Sequence, residues 1–406
     1  MQLSRRSLIK SASAAALLAA GGEKLVAQEK TVRIGFPLEL SGKFVSYGTP
    51  GKRGAEMALD AFKHRAGPFK IEPLFRDVQS DPQATVSVMT GLVVTGGVDY
   101  IVGPIGSPIV AAAISVVKQK RPLWMVPGSS STTLEKELGG EDYFFHTYPY
   151  AYHYHSSEAA ALKESLGGKG RIAVIHSDDN YGRTHLPYVE KFYPAQGFEI
   201  VAKELVRTNS TDLNPALTKI SRANADILIG LVQTTDAVTL AKQVHTRRLN
   251  VPYLVGTAYT QMSEWQSAVG DAQEGWLGVT PYIPGMERPA SKEYPQIFPK
   301  LSEWEQRFRQ RYNIEPDYLD VANYATVAIL LIAIERAGVD NKQAVADQLR
   351  KLDIQTIYGR SKFTETTGGT KQQAFTDMVV FQRQKGNNIL LYPADVATGK
   401  LIPLKT

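Results

Sequence analysis

The chain contains no cysteine. That absence excludes disulfides, thiolate metal sites, cysteine nucleophiles and a lipid-modified N-terminal cysteine together. Charge of one sign is also scarce: 46 Lys and Arg stand against 40 Asp and Glu, a formal net charge of +6. No run of five or more Lys or Arg occurs, so the basic residues read as solvated surface and nucleic acid is not an expected partner. Long apolar runs are missing too. The most apolar later stretch, 327–334, ends in Glu335-Arg336, falls short of the roughly twenty residues that span a bilayer, and reads as a buried helix. Cofactor and catalytic motifs are absent as well. Gly48-Thr49-Pro50-Gly51-Lys52-Arg53-Gly54 has the spacing Gly-x-x-Gly-x-x-Gly, not Gly-x-Gly-x-x-Gly, and neither a Walker loop nor a Gly-x-Ser-x-Gly elbow occurs. No cofactor is expected, and no enzymatic activity.

What is present starts at the N-terminus. Ser4-Arg5-Arg6-Ser7-Leu8-Ile9-Lys10, the small apolar run 11–20 and Leu25-Val26-Ala27 form the pattern of a twin-arginine export signal. Residues 1–27 are thus expected to be removed, leaving a soluble, unlipidated chain in the periplasm that begins near Gln28. Its net charge falls to about +3 once Arg5, Arg6, Glu23, Lys10 and Lys24 are set aside. The roughly 380 remaining residues exceed what one core usually serves, so two lobes are expected.

Strand-like and helix-like runs alternate through that mature chain, the mark of parallel α/β sheets. Strands are predicted at 32–36, 71–75, 100–102 and 123–126, with helices at 54–64, 82–95 and 109–119. A second series follows with strands at 172–175, 199–205, 227–229 and 253–255 and helices at 183–193, 213–222 and 236–247. Two Rossmann-like lobes in tandem account for this. Between them, 143–155 is aromatic and has neither period, so it reads as a crossover. A second extended crossing is read near 278–282. Long helices follow at 295–312 and 321–337, another at 341–352, and a hairpin closes the chain with strands at 378–383 and 389–392. His146, His153 and His155 in the first crossover lack a carboxylate at ligand spacing, and no metal is expected there.

In open parallel sheets, ligands sit at the carboxyl ends of strands. There the sequence offers Gly103-Pro104-Ile105-Gly106-Ser107 and Pro127-Gly128-Ser129-Ser130-Ser131. Each is a turn into a helix start, where backbone N–H groups and hydroxyls can hold a carboxylate. Serines at such places also cap helices, and the residues alone leave both readings open.

Leu40-Ser41-Gly42, Tyr47-Gly48, Gly54-Ala55, Asp81-Pro82-Gln83-Ala84, Ile101-Val102-Gly103, Val126-Pro127-Gly128, Tyr181-Gly182 and Gly270-Asp271-Ala272-Gln273-Glu274-Gly275 occur in an order that resembles a known family. It is the type I periplasmic solute-binding proteins of ABC importers, in the branch of the leucine/isoleucine/valine-binding proteins, and the resemblance runs from about residue 31 to the C-terminus. It implies an α/β fold of two lobes with parallel sheets joined by three crossovers, with lobe 1 at 28–148 plus 281–360 and lobe 2 at 149–280 plus 361–406. It also implies a monomer that closes on a small solute and delivers it to an ABC permease in the inner membrane. The same fold serves in signalling, so a periplasmic sensor is the competing role.

Carried over, the family's carboxylate-binding groups fall on Ser107, Gly128 and Ser130, with Ser129 between them, and its ligand-facing aromatics on Tyr47 and Tyr181. Tyr150 and Tyr259 join them by adjacency. Two positions depart: Gln233 stands where the family places an aromatic, and Ala258 where it places the acid that receives the ligand's ammonium. The family's disulfide pair is replaced by Ser80 and Gly106. An ammonium buried without a carboxylate partner costs several kcal/mol, so the expected ligand is an aromatic or aliphatic organic acid that lacks the α-amino group. Asp178, Asp179 or Asp236, if turned inward, would restore an amino acid as the ligand.

Overall fold

The computed structural model describes residues 30–366 and 368–404; the export signal read at 1–27 lies outside them. Strand Thr31–Leu38 (β1) is apolar enough to be buried on both faces from Ile34 onward, as a central parallel strand must be. It belongs with Arg65–Ala66 (β2), Phe69–Asp77 (β3), Tyr100–Val102 (β4), Leu123–Val126 (β5) and Phe144–His146 (β6). The second sheet uses Arg171–Ser177 (β7), Glu199–Val206 (β8), Ile227–Leu231 (β9), Tyr253–Val255 (β10) and Trp276–Thr280 (β11). Asp353–Thr356 (β12) and Gly359–Lys362 (β13) form a separate antiparallel pair. Thr364–Glu365 (β14) and Lys371–Gln373 (β15) return to the first sheet, while Val379–Gln384 (β16) and Asn387–Tyr392 (β17) finish the second.

The strand orders are β14-β15-β6-β5-β4-β1-β3-β2 and β17-β16-β11-β10-β9-β7-β8. The central neighbours are parallel in both sheets, and only edge strands pair antiparallel. Among the described residues the chain passes between the sheets three times: after β6, after β11 and after β15. The last crossing differs from the expected lobe boundary at 361. β15 pairs with β6 through Gln373 and His146, so 364–373 extend the first sheet and the return to the second falls between 373 and 379. These two strands are short and largely polar and carry no apolar alternation to mark them in the sequence.

The helix expected to begin at Gly54 instead spans Val45–Ala61, with Pro50 inside it. Glycine and proline both disfavour a helix interior, yet tertiary packing requires the glycines here. A Cβ on Gly48 would lie 2.1 Å from the Glu39 carbonyl oxygen, and one on Gly54 would lie 2.2 Å from the Asp320 carbonyl oxygen. The glycine run is a close-packing face, not a phosphate loop. Its partner is the helix Tyr318–Ala337, whose N-terminus is capped by Asp317 accepting from the Leu319 N–H at 2.8 Å, worth about 1 kcal/mol. Arg53 clamps the two helices with a bidentate pair to buried Asp320 at 2.8 and 2.9 Å. This helix is long and apolar enough to cross a membrane, but 94% of its apolar window is buried inside the protein.

The carboxyl ends of both sheets face one cleft, and the lobes are hydrogen-bonded across it. Tyr47 of lobe 1 meets Gln233 and Thr234 of lobe 2 at 2.8 Å each. Ser130 meets His185 at 2.6 Å, and the Tyr318 N–H donates to Gln261 at 2.9 Å. The structure is that of the closed form.

Candidate functional site

Between the lobes lies a small cavity, about 40 Å³ measured over the positions open to the centre of a water-sized sphere. From the first lobe, the turns after β4 and β5 bring Ser107, Gly128, Ser129 and Ser130 to its wall, and the helix Val45–Ala61 brings Tyr47. From the second lobe, the helix Asn180–Ala195 brings Tyr181, the end of β9 brings Gln233, and the turn after β10 brings Ala258 and Tyr259. Nine of the ten residues expected at the site therefore line one space.

The tenth does not. Tyr150 is fully buried and stacks on His146 with ring centroids 4.1 Å apart, inside the first lobe and away from the cavity. The reason is local: the chain turns into the helix Ala151–Leu166 with Tyr150 at its N-cap, which rotates that side chain into the core. Tyr148 and Tyr154 face the cavity instead, their hydroxyls joined to each other. Tyr318, Thr257, Val232 and Leu319 complete much of the wall. The sequence reading passed over Tyr148 and Tyr154 because 143–155 has no period from which to read a facing side.

The serine turns carry fewer free donors than expected. In the first turn, the N–H groups of Ile105 and Gly106 already donate to buried Glu39 at 3.1 and 2.8 Å. Burial pushes the Glu39 carboxyl up to about 7, and its second oxygen has no partner among the described residues. The first turn thus offers the Ser107 hydroxyl, which accepts from Ser129 Oγ at 3.1 Å. Ser129 holds a positive φ of 65°, a turn conformation uncommon for a residue with a side chain.

Ser80 and Gly106, at the positions of the family's disulfide pair, work by other means. Ser80 Oγ donates to the Ser41 carbonyl at 2.6 Å and accepts from the Phe44 N–H at 3.0 Å. Gly106 leaves room for the rings of Phe44 and Tyr47 against the turn.

On the second lobe, Tyr181 donates to Thr257 Oγ1 at 2.6 Å and lies over the His185 ring at 4.1 Å. The Tyr259 hydroxyl is turned back to the Gly230 carbonyl at 3.3 Å, so its ring, not its hydroxyl, serves the wall. Gln233 accepts from Tyr47 through Oε1, and its Nε2, buried, has no partner among the described residues.

No Asp, Glu, Lys, Arg or His lines the cavity among the described residues. Asp178 accepts from the Thr208 N–H at 2.9 Å and from its hydroxyl at 2.8 Å. Asp179 caps its helix by accepting from the Gly182 N–H at 3.0 Å. Asp236 accepts from the Asn209 N–H at 2.8 Å. All three stand off the wall. The histidines of the crossover are likewise engaged: His146 with Gln373 at 2.7 Å, His153 with the Tyr150 N–H at 3.1 Å, and His155 with Glu158 at 2.7 Å.

A feature the sequence reading did not foresee sits behind the wall. His185, four residues beyond Tyr181 and so on the same helix face, reaches Ser130 across the cleft. It is the head of a buried chain, His185–His155–Glu158–Tyr193, with links of 2.8, 2.7 and 2.9 Å. The spacing of Tyr181 to His185 was the available signal.

Comparison with known proteins agrees with this architecture. The sequence pattern of the periplasmic binding protein family matches residues 31–388. The leucine-, isoleucine-, valine-, threonine- and alanine-binding protein of Pseudomonas aeruginosa is 24% identical over 364 residues, covering 89% of this chain and 93% of that one. Among solved structures, the branched-chain amino acid transporter substrate-binding protein of Streptococcus pneumoniae in complex with isoleucine superposes with a TM-score of 0.77 at 23% identity, covering 88% of this chain and 98% of that one. An ABC transporter solute-binding protein of R. palustris in complex with benzoate gives 0.77 at 16% identity, covering 92% and 97%. Sequence pattern, lobe topology and interlobe cavity together make the chain a type I periplasmic binding protein of the Leu/Ile/Val-binding family, the solute-binding class that serves ABC transporters.

Proposed function

We propose that the protein captures a small carboxylate without an α-amino group, an aromatic or other organic acid, and presents it in the closed form to an ABC permease of the inner membrane. The observation that carries this reading is the chemistry of the wall: hydroxyls, one amide and aromatic faces, with Ala258 where the family's ammonium acceptor belongs and no acidic side chain among the described lining residues. A buried ammonium here would lose several kcal/mol of hydration without an anionic partner. A carboxylate has donors in Ser107 Oγ and Gln233 Nε2, and an aromatic body has the faces of Tyr47, Tyr148, Tyr154, Tyr181 and Tyr318. The benzoate held by the R. palustris protein is of this chemical class, whereas the P. aeruginosa relative's name points to amino acids.

Binding would proceed by hinge closure, the lobes swinging together on the three crossovers. Export through the twin-arginine pathway, as a soluble, unlipidated monomer, completes the proposal. Titration calorimetry with benzoate, cinnamate and leucine tests the ligand class. Benzoate or cinnamate binding at least tenfold more tightly than leucine is expected; tight binding of leucine alone would overturn it.

A further inference from the structure

The proposed ligand leaves one charge unaccounted for, because a carboxylate would enter a closed cavity whose described lining has no cation. Buried carboxylates need either a cation or hydrogen-bond donors, and the direction of hydrogen bonds behind the wall decides whether Ser130 can act as one. Ser130 Oγ and His185 Nε2 are 2.6 Å apart, His185 Nδ1 and His155 Nε2 2.8 Å, and His155 Nδ1 and Glu158 Oε2 2.7 Å. All four residues are buried, with His155 and His185 at 0% exposure.

When the chain carries one proton on each imidazole and no other, it has a single consistent polarity. Glu158 accepts from His155 Nδ1–H, His155 Nε2 accepts from His185 Nδ1–H, and His185 Nε2 accepts from the Ser130 hydroxyl. The hydrogen of Ser130 is then committed to His185, and only lone pairs remain for a ligand. One added proton reverses the last link: His185 Nε2–H donates to Ser130 Oγ, and the Ser130 hydrogen is released toward the cavity. The same count holds wherever along the chain the added proton rests.

We propose that the protein binds its carboxylate ligand together with one proton, taken from solvent and held by the His185–His155–Glu158 chain, with Ser130 relaying it as a hydrogen-bond donor to the ligand. The proposal rests on the carboxylate reading above and deepens it. In the closed cleft, burial and then the neighbouring His155 hold His185 well below the usual histidine range, which favours its neutral form. The groups that face it bear this out. His155 and Tyr154 approach from the helix Ala151–Leu166, Tyr181 stacks on it from its own helix, and Ser130 approaches from the opposite lobe. Glu158 stands two links away and is held also by the Tyr193 hydroxyl at 2.9 Å, and its second oxygen Oε1 has no partner among the described residues. Tyr259, in the turn after β10, also lies within reach of Glu158: burial first and then this carboxyl group push the Tyr259 hydroxyl up.

The test is benzoate calorimetry on the full mature chain between pH 6.5 and 8.5, in buffers of different ionisation enthalpy. Uptake of close to one proton is expected, with affinity falling about tenfold per pH unit. His185→Phe removes the acceptor that holds the Ser130 hydrogen, so that hydrogen is free at every pH, proton uptake should vanish and benzoate affinity should no longer depend on pH. A merely structural His185 would instead weaken binding equally at every pH. Ser130→Ala, which cuts the chain from the opposite lobe, should also abolish uptake and weaken benzoate about tenfold, and it keeps the test open if the histidine variant does not fold. In the wild-type complex the ¹⁵N shift of His185 Nε2 should be that of a protonated nitrogen. Benzoate binding with no proton uptake, or with an unprotonated Nε2, overturns this inference while leaving the ligand reading intact. Failure of benzoate and cinnamate to bind at all overturns both.

Discussion

The two lobes start their ligand-facing helices with the same dipeptide and use it differently. Tyr47-Gly48 follows β1, and Tyr181-Gly182 follows β7. In each, the missing side chain lets the helix lie on the end of the lobe's first strand: a Cβ on Gly48 would strike Glu39 O at 2.1 Å, and one on Gly182 would strike Ser177 O at 2.2 Å. Each tyrosine is thereby aimed at the cleft. Yet Tyr47 bonds across the cleft to Gln233 and Thr234, while Tyr181 bonds within its own lobe to Thr257. Beneath them, lobe 1 has a buried carboxylate, Glu39, where lobe 2 has Ser177, whose hydroxyl reaches Asp179 at 2.7 Å. A common framework thus yields one tyrosine that reports closure and one that shapes the wall.

The framework itself should be the hardest thing to change. Gly48→Val and Gly182→Val each force backbone apart and should cost roughly 3 kcal/mol or more, measured by urea unfolding. A cost near 1 kcal/mol at only one of them would break the equivalence of the two starts. Next is the carboxylate that only lobe 1 carries. Because the folded-state pKa of Glu39 is raised to about 7 from 4.5, its protonated form supports the fold. That stability is full below pH 4.5 and is lost as pH rises through about 7, a change of about 3 kcal/mol. Glu39→Gln should flatten this part of the stability profile and make the variant more stable than the wild type at pH 8; Ser177→Ala should leave the profile's shape unchanged.

Smaller in energy but sharper in specificity is Ala258→Asp, which adds an acid to the second wall. Benzoate binding should weaken by about thirtyfold, roughly 2 kcal/mol, and leucine binding should appear or strengthen, both read by calorimetry. The smallest effect separates the tyrosines. Tyr47→Phe leaves Gln233 and Thr234 short of a partner across the cleft, so it should weaken ligand binding about tenfold and raise the unliganded radius of gyration in small-angle scattering by favouring the open form. Tyr181→Phe should leave that radius unchanged. Equal effects from both would dissolve the distinction drawn between them.

Much of this was legible in the amino-acid order, and for identifiable reasons. The apolar runs of β4, β5, β9 and β10, separated by helix-period segments, specify parallel strands whose carboxyl ends must share a cleft, and Ser107, Ser130, Tyr181 and Gln233 follow from that. β14 and β15 were hidden because short polar edge strands carry no alternation. The first nine residues of the helix Val45–Ala61 were hidden because Gly48, Gly51 and Pro50 argue locally against a helix, and only tertiary contacts explain the two glycines, the Glu39 backbone at Gly48 and the Ile105 side chain at Gly51. Tyr150 was misplaced because an N-cap residue follows neither the strand period nor the helix period. His185 escaped notice because a histidine on the apolar side of a helix ordinarily means core; its role depends on Ser130, which is 55 positions away in the chain.

The helix Tyr318–Ala337 carries a consequence of a different kind. By composition it is a bilayer span, and by packing it is the most enclosed helix of the fold. Met while still extended, a membrane would compete for it with the helix Val45–Ala61, whose residues lie more than 250 positions earlier. Met after Arg53 has closed on Asp320, the membrane finds no apolar segment to take. Folded, the segment keeps 94% of its apolar window inside the protein, so the same residues that could cross a bilayer serve as the seam of a lobe.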